Sequence, residues 1–384
     1  MAEPYDIVVA GGGLIGAALA VGLRDSGFKI ALLEAQPRAA VGDDARTIAL
    51  SYGSRLILER LGVWQSLTAL TPIEHISISQ QRGFGRVELH AAEAYVPALG
   101  YVAGYTALQH AFTLAVGESG VRVMAGCAAV AVNGDADSAA VTVDCGGAQQ
   151  ELRARLVAIA DGGANLGLAH HQTRDYHQSA VVCDVVSEQS HQNWAYERFT
   201  SEGPLALLPT ARGQALIWSA VPQRAQELAA LPDAEFCMQL RAGFGPTLGA
   251  FRLLGPRQVF PLVLKYAAQP IAPRRVLIGN AAQTLHPVAG QGFNLGLRDA
   301  WELARAIMSR DCGDPGARAL LDAFLSQRRA DRTATILFTD SLIRLFSNDI
   351  PLFKHARAVG FIALASLPPA KNLLARRMMF GVRS

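Results

Sequence analysis

Residues 279–299 read GNAAQTLHPVAGQGFNLGLRD, and this glycine-rich stretch is the most informative part of the chain. An apolar strand at residues 276–278 precedes it, and the spacing of apolar side chains predicts a helix over 295–308. A strand-to-helix junction of this kind offers free backbone N–H groups and the positive end of a helix. It is therefore suited to bind an anion or an electron-rich ring.

A second glycine turn follows an apolar strand at residues 6–10. Its pattern is GxGxxG: Gly11 makes the tight turn, Gly13 lets the backbone approach a pyrophosphate, and Gly16 lets helix and strand pack closely. Glu34 ends the next apolar strand, 18 residues beyond Gly16, close to the spacing expected for an acid that binds a ribose hydroxyl. A glycine turn that only packs a strand on a helix would not explain Glu34. The spacing predicts dinucleotide binding with a free 2′-hydroxyl.

Length and composition narrow the class of protein. A chain of 384 residues favours two domains, and 51% hydrophobic residues suit buried parallel strands. The net charge of +3 is too small to indicate nucleic-acid binding. Five cysteines, an odd number with no CxxC pair, predict neither a disulfide framework nor a metal site, and favour a reducing cytosol. The N-terminus does not have a signal-peptide pattern, and the chain has no apolar run long enough to span a membrane.

The dinucleotide-binding domain is predicted to be discontinuous in sequence. Between its pieces lie segments that alternate apolar and polar residues, such as 75–79, as expected for an antiparallel sheet with one solvated face. The predicted fold class is therefore α/β: a Rossmann-like domain, an inserted and mainly antiparallel β-sheet substrate domain, and a helical C-terminal region. The boundaries are 1–72, 98–170 and 271–317 for the first, 73–97 and 171–270 for the second, and 318–384 for the third.

The C-terminal region has two interpretations. Residues 319–343 have helical spacing, and residues 352–367 are apolar with basic residues at their start. The region is either a helical cap over the dinucleotide-binding domain or a patch that contacts a membrane surface, with its basic residues on anionic lipid.

Three motifs in this order resemble the flavoprotein aromatic hydroxylases related to para-hydroxybenzoate hydroxylase. They are 11–16 with Glu34, Asp161-Gly162, and 279–294. Within that family the chain resembles the ubiquinone-biosynthesis hydroxylases, and the resemblance covers nearly the whole chain. The segments that carry this closer resemblance are 44–50, 62–64, 197–199, 203–209, 279–299 and 339–346.

The resemblance implies an FAD site. Gly11, Gly13, Gly16 and Glu34 would hold the ADP half, and Arg46 would lie near the pyrophosphate. The remaining cofactor-binding residues implied by position are Gln109, Asp161, Asn280, Gly290, Gly292 and Asn294. Asn280 stands where most of the wider family has Asp. An asparagine at this position keeps the hydrogen bonding but lacks the charge. The family also has Ser and Arg where this chain has Asn165 and Leu168, which leaves the binding of the nicotinamide open.

The resemblance also implies the chemistry. NAD(P)H as co-substrate reduces FAD, O2 forms a C4a-hydroperoxyflavin, and the distal oxygen is transferred to an electron-rich phenol. Such a site needs an apolar pocket that excludes water. Its candidate lining residues are Leu208, Pro209, Pro287 and Phe293, with core packing as the alternative. His286 is the catalytic candidate, as a hydrogen-bond partner or proton relay for the phenol; the alternative is that it holds its loop.

The leading functional hypothesis is an FAD-dependent monooxygenase that hydroxylates a prenylated phenol in ubiquinone biosynthesis. One alternative is a hydroxylase of a small soluble aromatic. Another is a flavoprotein that acts mainly as a structural subunit of a quinone-biosynthesis assembly. An NAD-dependent dehydrogenase would lack residues 279–299. The expected location is cytoplasmic, with or without peripheral contact to the inner face of the membrane. The ring position, prenyl length and choice of NADH or NADPH stay open.

Overall fold

The computed structural model describes residues 4–37, 46–81, 83, 85–163, 166, 171–309, 312–346 and 360–382. Asn165, Leu168 and the start of the apolar segment at 352–367 lie outside these ranges.

The helices and strands occur in the following bounds. The strands are β1 (Tyr5–Ala10), β2 (Ile30–Glu34), β3 (Thr47–Ser51), β4 (Thr71–Ile73), β5 (His75–Gln80), β6 (Arg86–His90), β7 (Gly100–Gly104), β8 (Arg122–Ala125), β9 (Cys127–Gly134), β10 (Ala139–Cys145), β11 (Ala148–Ile159), β12 (His171–Ser187), β13 (Trp194–Phe199), β14 (Pro204–Thr210), β15 (Gly213–Ala220), β16 (Phe251–Leu253), β17 (Gln258–Ala267), β18 (Ile271–Ala272), β19 (Arg275–Leu277) and β20 (Gln283–Thr284). The α-helices are α1 (Leu14–Gly22), α2 (Tyr52–Arg60), α3 (Tyr105–Glu118), α4 (Pro222–Ala230), α5 (Asp233–Phe244), α6 (Gln291–Ile307), α7 (Arg318–Phe346) and α8 (Pro368–Phe380).

A parallel sheet forms the centre of the first domain. Its strands run β19-β11-β1-β2-β8, and each of these pairs is parallel. Ile7, Val8 and Val9 of β1 have no exposed surface, because helices cover one face and the β9–β10 hairpin with its neighbours covers the other. The carboxyl ends of β1, β11 and β19 therefore lie side by side, where ligands bind in open α/β sheets. The predicted Rossmann-like topology is confirmed.

A second, mainly antiparallel sheet has the strand order β20-β17-β12-β15-β14-β13-β5-β6. Helices α4 and α5 pack on one face through a core that includes Trp218 and Phe236. The other face looks toward the first domain and the C-terminal helices. Strands β5 and β6, which are distant in sequence from the rest of this sheet, join it through the parallel pairing of β5 with β13.

The C-terminal helices pack on the first domain. The ring of Phe380 in α8 lies edge-on to Tyr52 in α2, with centroids 5.9 Å apart. Gln291 at the start of α6 donates a side-chain hydrogen bond to the Met378 carbonyl, 3.5 Å away. These contacts correspond to the helical-cap interpretation. Among the described helices, none combines the length and the apolarity that crossing a bilayer would need.

The expectation that the chain has no disulfide is wrong for one pair of cysteines. Cys127 and Cys145 are joined by a disulfide, and their Cα atoms are 4.2 Å apart. They occupy directly opposite positions on the antiparallel strands β9 and β10, which brings their side chains together. The pairing of the hairpin creates this proximity, and a spacing of 18 residues in the sequence does not reveal it. With this disulfide present, the number and spacing of the cysteines do not indicate a reducing compartment.

Candidate active site

A cleft of about 720 Å³ opens at the carboxyl ends of the parallel strands. It brings together residues that are far apart in the sequence, from Ala10 to Phe293. The predicted cofactor residues that line it are Gly11, Gly13, Glu34, Arg46, Gln109, Asp161, Asn280, Gly290 and Gly292. Gly16 and Asn294 do not line it and have supporting positions instead.

The first glycine turn is shaped by backbone contacts. A Cβ atom on Gly16 would lie 1.8 Å from the Gly11 carbonyl oxygen, so only glycine allows this approach of α1 to β1. Gly11 has a φ of +112°, in the region that favours glycine. In contrast, a Cβ on Gly13 would meet nothing within 4 Å. Gly13 therefore presents open backbone at the N-terminus of α1, as an approaching pyrophosphate requires.

Asp161 presents a buried acceptor to the cleft. Its Oδ1 atom accepts a hydrogen bond from the Gly163 N–H at 2.9 Å. Its Oδ2 atom is buried and has no hydrogen-bond partner among the residues that the structure describes. A buried acceptor of this kind is costly unless a donor reaches it. A hydroxyl-bearing ligand in the cleft would supply that donor, so the residues present fit the ribityl or ribose part of FAD.

The second glycine turn begins a helix earlier than the sequence predicted. Helix α6 starts at Gln291 and not at Leu295, and Gly290 precedes it with a φ of +59°. Gly292 thus lies in the first helical turn, whose N–H groups have no partner within the helix. Residues at the N-termini of both α1 and α6 line the cleft, so two positive helix ends contribute to the site.

Asn294 holds this second turn in place. Its side-chain amide donates to the carbonyl oxygens of Ala49 and Gly290, at 2.9 and 2.7 Å. Its Oδ1 atom accepts from the Ser51 N–H and the Ser54 hydroxyl, at 2.8 and 2.7 Å. The side chain is therefore fully used within the protein. Any contact of Asn294 with the cofactor would come from its backbone.

His286 is buried and lines neither the cleft nor the apolar cavity next to it. Its Nδ1 atom accepts a hydrogen bond from the Val288 N–H at 3.1 Å, which places the ring proton on Nε2. Burial lowers the pKa of His286 to about 4, so the imidazole is neutral at physiological pH. This geometry supports the loop-holding alternative, and a catalytic role for His286 stays a prediction.

An apolar cavity of about 410 Å³ adjoins the cleft. Its walls are the inner face of the antiparallel sheet and side chains from the C-terminal helices. The sheet and its neighbouring loops contribute Ile73, Ile76, Ile78, Val87, Ala195, Glu197, Phe199 and Ala206, and the helices contribute Phe338, Leu342, Phe346, Phe361, Leu364, Leu374 and Met378, among others. These helical residues are not among the pocket residues predicted from the sequence.

The two cavities meet at a common wall. Ala49, Leu208, Ile217, Pro287 and Gly290 line both of them. Leu208 and Pro287 therefore lie at the junction of the two cavities, and their contact with an aromatic substrate ring stays a prediction. The other two predicted pocket residues differ. Phe293 lines the large cleft but not the apolar cavity. Pro209 lines neither, because it follows Leu208 in the strand and successive residues of a strand face opposite sides of the sheet.

Comparison with known proteins agrees with this architecture. Residues 4–339 match the family described as FAD binding domain. The chain is 35% identical to ubiquinone hydroxylase UbiL of Rhodospirillum rubrum, with 97% of this chain and 89% of the relative covered. It is 31% identical to the 3-demethoxyubiquinol 3-hydroxylase of Escherichia coli, with 94% and 95% covered. It is 30% identical to the human ubiquinone biosynthesis monooxygenase COQ6, with 96% and 91% covered.

Solved structures support the fold. The p-nitrophenol 4-monooxygenase PnpA of Pseudomonas putida superposes with a TM-score of 0.79 at 16% identity, with both chains fully covered. The chain therefore belongs to the FAD-binding family and, within it, to the flavoprotein hydroxylases of ubiquinone biosynthesis.

Proposed function

We propose that this protein is an FAD-dependent monooxygenase that hydroxylates the aromatic ring of a prenylated phenol in ubiquinone biosynthesis. The observation that carries the proposal is the wall shared by the two cavities, at Leu208, Ile217 and Pro287. A ring placed at this wall would contact the flavin on one side and extend an apolar chain into the second cavity. NAD(P)H is the reductant typical of this class of enzyme.

The protein's own contribution is binding, orientation and exclusion of water. The N-termini of α1 and α6 would bind the pyrophosphate and the ring end of FAD, and Asp161 would accept a hydroxyl hydrogen bond. Bound and reduced FAD supplies the activated oxygen atom. The apolar lining around Leu208 and Ile217 would keep water from the reacting ring, which limits loss of the activated oxygen as H2O2. The same lining would hold the ring close to the flavin, so that the two react within one complex and not through a bimolecular encounter.

Two features favour a prenylated substrate over a small soluble aromatic. The apolar cavity has room for several isoprene units beyond the ring. In addition, its lining from the C-terminal helices is apolar at each described position, where a soluble benzoate would require a cationic partner for its carboxylate. We further propose that residues 73–97 and 171–270 act as a substrate domain, since their strands form the sheet that faces the cavity.

The test of this function uses purified protein loaded with FAD and a soluble, short-chain prenylphenol. NAD(P)H oxidation should rise on addition of the prenylphenol, and a hydroxylated product should appear. In the Leu374→Asp variant, kcat/KM should fall about tenfold or more, because a loss of ~1.4 kcal/mol of binding is tenfold. Leu374 lines the apolar cavity, so the new carboxylate would be placed against the prenyl chain.

Leu373→Asp is the matched control for this variant. Leu373 is the preceding residue of α8, is 55% exposed and does not line the cavity. Its replacement should leave kcat/KM near the wild-type value. Stimulation of NAD(P)H oxidation by a soluble hydroxybenzoate alone would overturn the prenylphenol proposal. If the two substitutions lowered kcat/KM equally, the apolar cavity would have no specific role in binding the prenyl chain.

We also propose peripheral contact with a membrane through the C-terminal region, where a lipid substrate would enter. Ile362, Leu367 and Leu373 are more than half exposed, at 52%, 55% and 55%. Leu373, Arg376 and Arg377 lie at positions i, i+3 and i+4 of α8, so they share one face of the helix. This face combines apolar and cationic side chains, as at the surface of an anionic bilayer.

Binding to vesicles tests the membrane contact. The protein should sediment with anionic phospholipid vesicles, and Arg376→Glu should weaken binding about fivefold or more, since each basic residue near the surface contributes about 1 kcal/mol. Arg122→Glu is the control, because Arg122 is an exposed residue of β8, in the parallel sheet and not in the C-terminal region. Binding that is independent of Arg376 and of salt would contradict this orientation.

A further inference from the structure

The disulfide between Cys127 and Cys145 lies at one end of the FAD cleft. Cys127 is the first residue of β9, and residues 127–129 line the cleft. Cys145 is the last residue of β10 and does not line it. One sulfur atom of the bond therefore belongs to a residue of the cofactor site, and the other belongs to a residue outside it.

This end of the cleft is the one at which the ADP half of FAD is expected. Glu34, the acid that the sequence places at the ribose hydroxyl groups, is paired with Ala125 in the parallel sheet. The Gly126 N–H donates a hydrogen bond to the Gln36 carbonyl oxygen at 3.4 Å. Residues 34–36 and 127–129 are thus adjacent parts of one wall. A displacement of β9 would change the shape of the site around the ADP half.

Strand β9 is held in the sheet from one side. In the described part of the chain it pairs with β10 alone. The pairing register shifts between Thr142 and Val143, so the ladder beyond this point consists of the pairs Val143–Ala129, Asp144–Ala128 and Cys145–Cys127. An irregularity of this kind locally disrupts a ladder. The covalent bond is therefore the strongest constraint on the three residues of β9 that line the cleft.

The two cysteines differ in their exposure. Cys127 is buried and packs in the core on the hairpin side of the parallel sheet. Cys145 is half-buried and is followed by an exposed turn at 146–147. Its Sγ atom accepts a hydrogen bond from the exposed Gln150 side chain at 3.4 Å. Thiol–disulfide exchange requires that a thiolate reach one of the sulfur atoms. Cys145 offers such a sulfur atom near the surface and outside the cofactor site.

We propose that the Cys127–Cys145 disulfide is a redox-sensitive site that controls cofactor binding: a dithiol reduces it, and the reduced protein binds FAD more weakly. This inference goes beyond the proposed function. It uses the FAD site but does not depend on which substrate is hydroxylated.

The exchange balances in atoms and electrons. A thiolate of the dithiol attacks the Cys145 sulfur and forms a mixed disulfide, and the Cys127 sulfur leaves and takes up a proton. The second thiol group of the reductant then attacks the mixed disulfide, which releases Cys145 as a thiol and closes a disulfide within the reductant. The protein gains two electrons and two protons, and the dithiol loses the same. Exchange with an oxidised dithiol reverses the reaction.

Weaker binding follows from the order that the reduced protein must regain. Without the bond, residues 127–129 have more backbone conformations in the FAD-free protein. FAD binds the conformation in which they line the cleft, so its apparent affinity falls with the population of that conformation. Couplings between sites are typically roughly 5–150-fold. Because the bond acts on three residues at one end of the site, we expect a change of about tenfold.

The experiment measures FAD binding to the full chain, freed of FAD, before and after treatment with dithiothreitol. Thiol titration in denaturant should rise from the three free cysteines, Cys183, Cys237 and Cys312, to all five. The dissociation constant for FAD, measured by flavin fluorescence, should rise about tenfold on reduction. It should return to its first value when oxidised dithiothreitol restores the bond.

Cys145→Ala removes the bond without changing a residue that lines the cleft. This variant should bind FAD as reduced wild type does, and dithiothreitol should have no further effect. Cys237→Ala is the matched control, because Cys237 is a free cysteine in α5, which packs on the antiparallel sheet. The control should respond to dithiothreitol as wild type does. Circular dichroism shows that each protein is folded, and if Cys145→Ala does not fold, the comparison of oxidised with reduced wild type decides.

The same coupling must appear in the redox equilibrium. Because linkage is reciprocal, saturating FAD should favour the disulfide by the factor by which the disulfide favours FAD. The ratio of reduced to oxidised dithiothreitol that gives half reduction should therefore be about tenfold higher with FAD than without it. A disulfide with a purely structural role would give the same ratio in both cases.

Two results would overturn the redox proposal. One is an equal FAD dissociation constant for oxidised and reduced protein, and the other is a native protein in which dithiothreitol leaves the Cys127–Cys145 bond intact. Either result leaves the proposed function in place, since hydroxylation by the oxidised holoenzyme does not use the exchange. A holoenzyme that hydroxylates no prenylphenol but shows the shift in FAD affinity would instead contradict the proposed function and support the redox proposal.

Discussion

A Gly16→Ala variant should lose FAD binding and unfold at a much lower denaturant concentration than the wild type. The added methyl carbon would lie 1.8 Å from the carbonyl oxygen of Gly11 and 3.0 Å from its carbonyl carbon. Both atoms are backbone, so no side-chain rotation relieves the clash, and α1 must move away from β1. Overpacking typically costs about 1–3 kcal/mol, and a clash between backbone atoms is at the upper end of this range. Urea unfolding and the flavin content of the purified protein measure the effect.

Gly13→Ala is the informative partner of that variant. A methyl group on Gly13 meets nothing within 4 Å in the protein, and the backbone there has an ordinary φ of −63°. We expect normal folding but weaker FAD binding, because the methyl group would lie where the pyrophosphate approaches. Gly117→Ala in α3, also without neighbours within 4 Å, should change neither property. A Gly13→Ala protein with wild-type FAD affinity would contradict the placement of the pyrophosphate at this turn.

An Asp331→Ala variant should be destabilised by about 3–5 kcal/mol, because it would leave two buried guanidinium groups without their shared partner. Asp331 accepts from Arg298 and Arg328, each at 2.8 Å, and its side chain is 3% exposed. It also accepts the backbone N–H of Val382 at 3.1 Å. The substitution thus removes contacts that join α6, α7 and the C-terminal segment.

Asp322→Ala is the matched control on the same helix. Asp322 pairs with Arg318 at 2.8 Å, but both side chains are more than half exposed, at 51% and 67%. Exposed ion pairs of this kind contribute about 0.2–1 kcal/mol. The loss of unfolding free energy, measured by equilibrium urea unfolding, should therefore be several-fold larger for Asp331→Ala than for Asp322→Ala. Equal and small losses would show that the buried network contributes little to stability.

The pH dependence of protein stability should reflect the titration of Asp331. Burial alone would raise the pKa of Asp331, but the adjacent Arg298 and Arg328 outweigh it, so that the pKa is lowered. A carboxyl group with a lowered pKa in the folded state stabilises that state fully above its ordinary pKa. The stabilisation is lost as the pH falls from that value through the folded-state pKa. Wild type should lose more stability than Asp331→Ala over this acid range.

This network also reaches the cofactor site. Asp299, which follows Arg298 in α6, accepts from Arg328 at 2.9 Å and from the Gln283 side chain at 2.7 Å. Gln283 lies between the loop that begins at Gly279 and the His286 segment. Since Gly279 lines the cleft, the charged residues of α6 and α7 support the loop that carries Asn280. Loss of Asp331 should therefore lower FAD affinity as well as stability.

Local sequence determined the two glycine turns, the strands that precede them and Glu34 at the end of β2. These features depend on backbone geometry within a few residues, which the positions of Gly11, Gly13 and Gly16 encode directly. The family resemblance then implied FAD, and the predicted fold class and family are confirmed by the structure and by the similar proteins. The start of α6 was placed four residues too late, because GQGF has no strong helical periodicity.

Only the tertiary structure decided which side chains meet across large sequence separations. The disulfide depends on the register of a hairpin, the proton position of His286 on one backbone N–H, and the role of Asn294 on contacts to β3 and α2. The apolar cavity exists because strands near residues 76, 197 and 206 face helices near 342 and 374. Periodicity in one segment predicts which of its faces is buried, but the partner of that face is set by the packing of the whole chain.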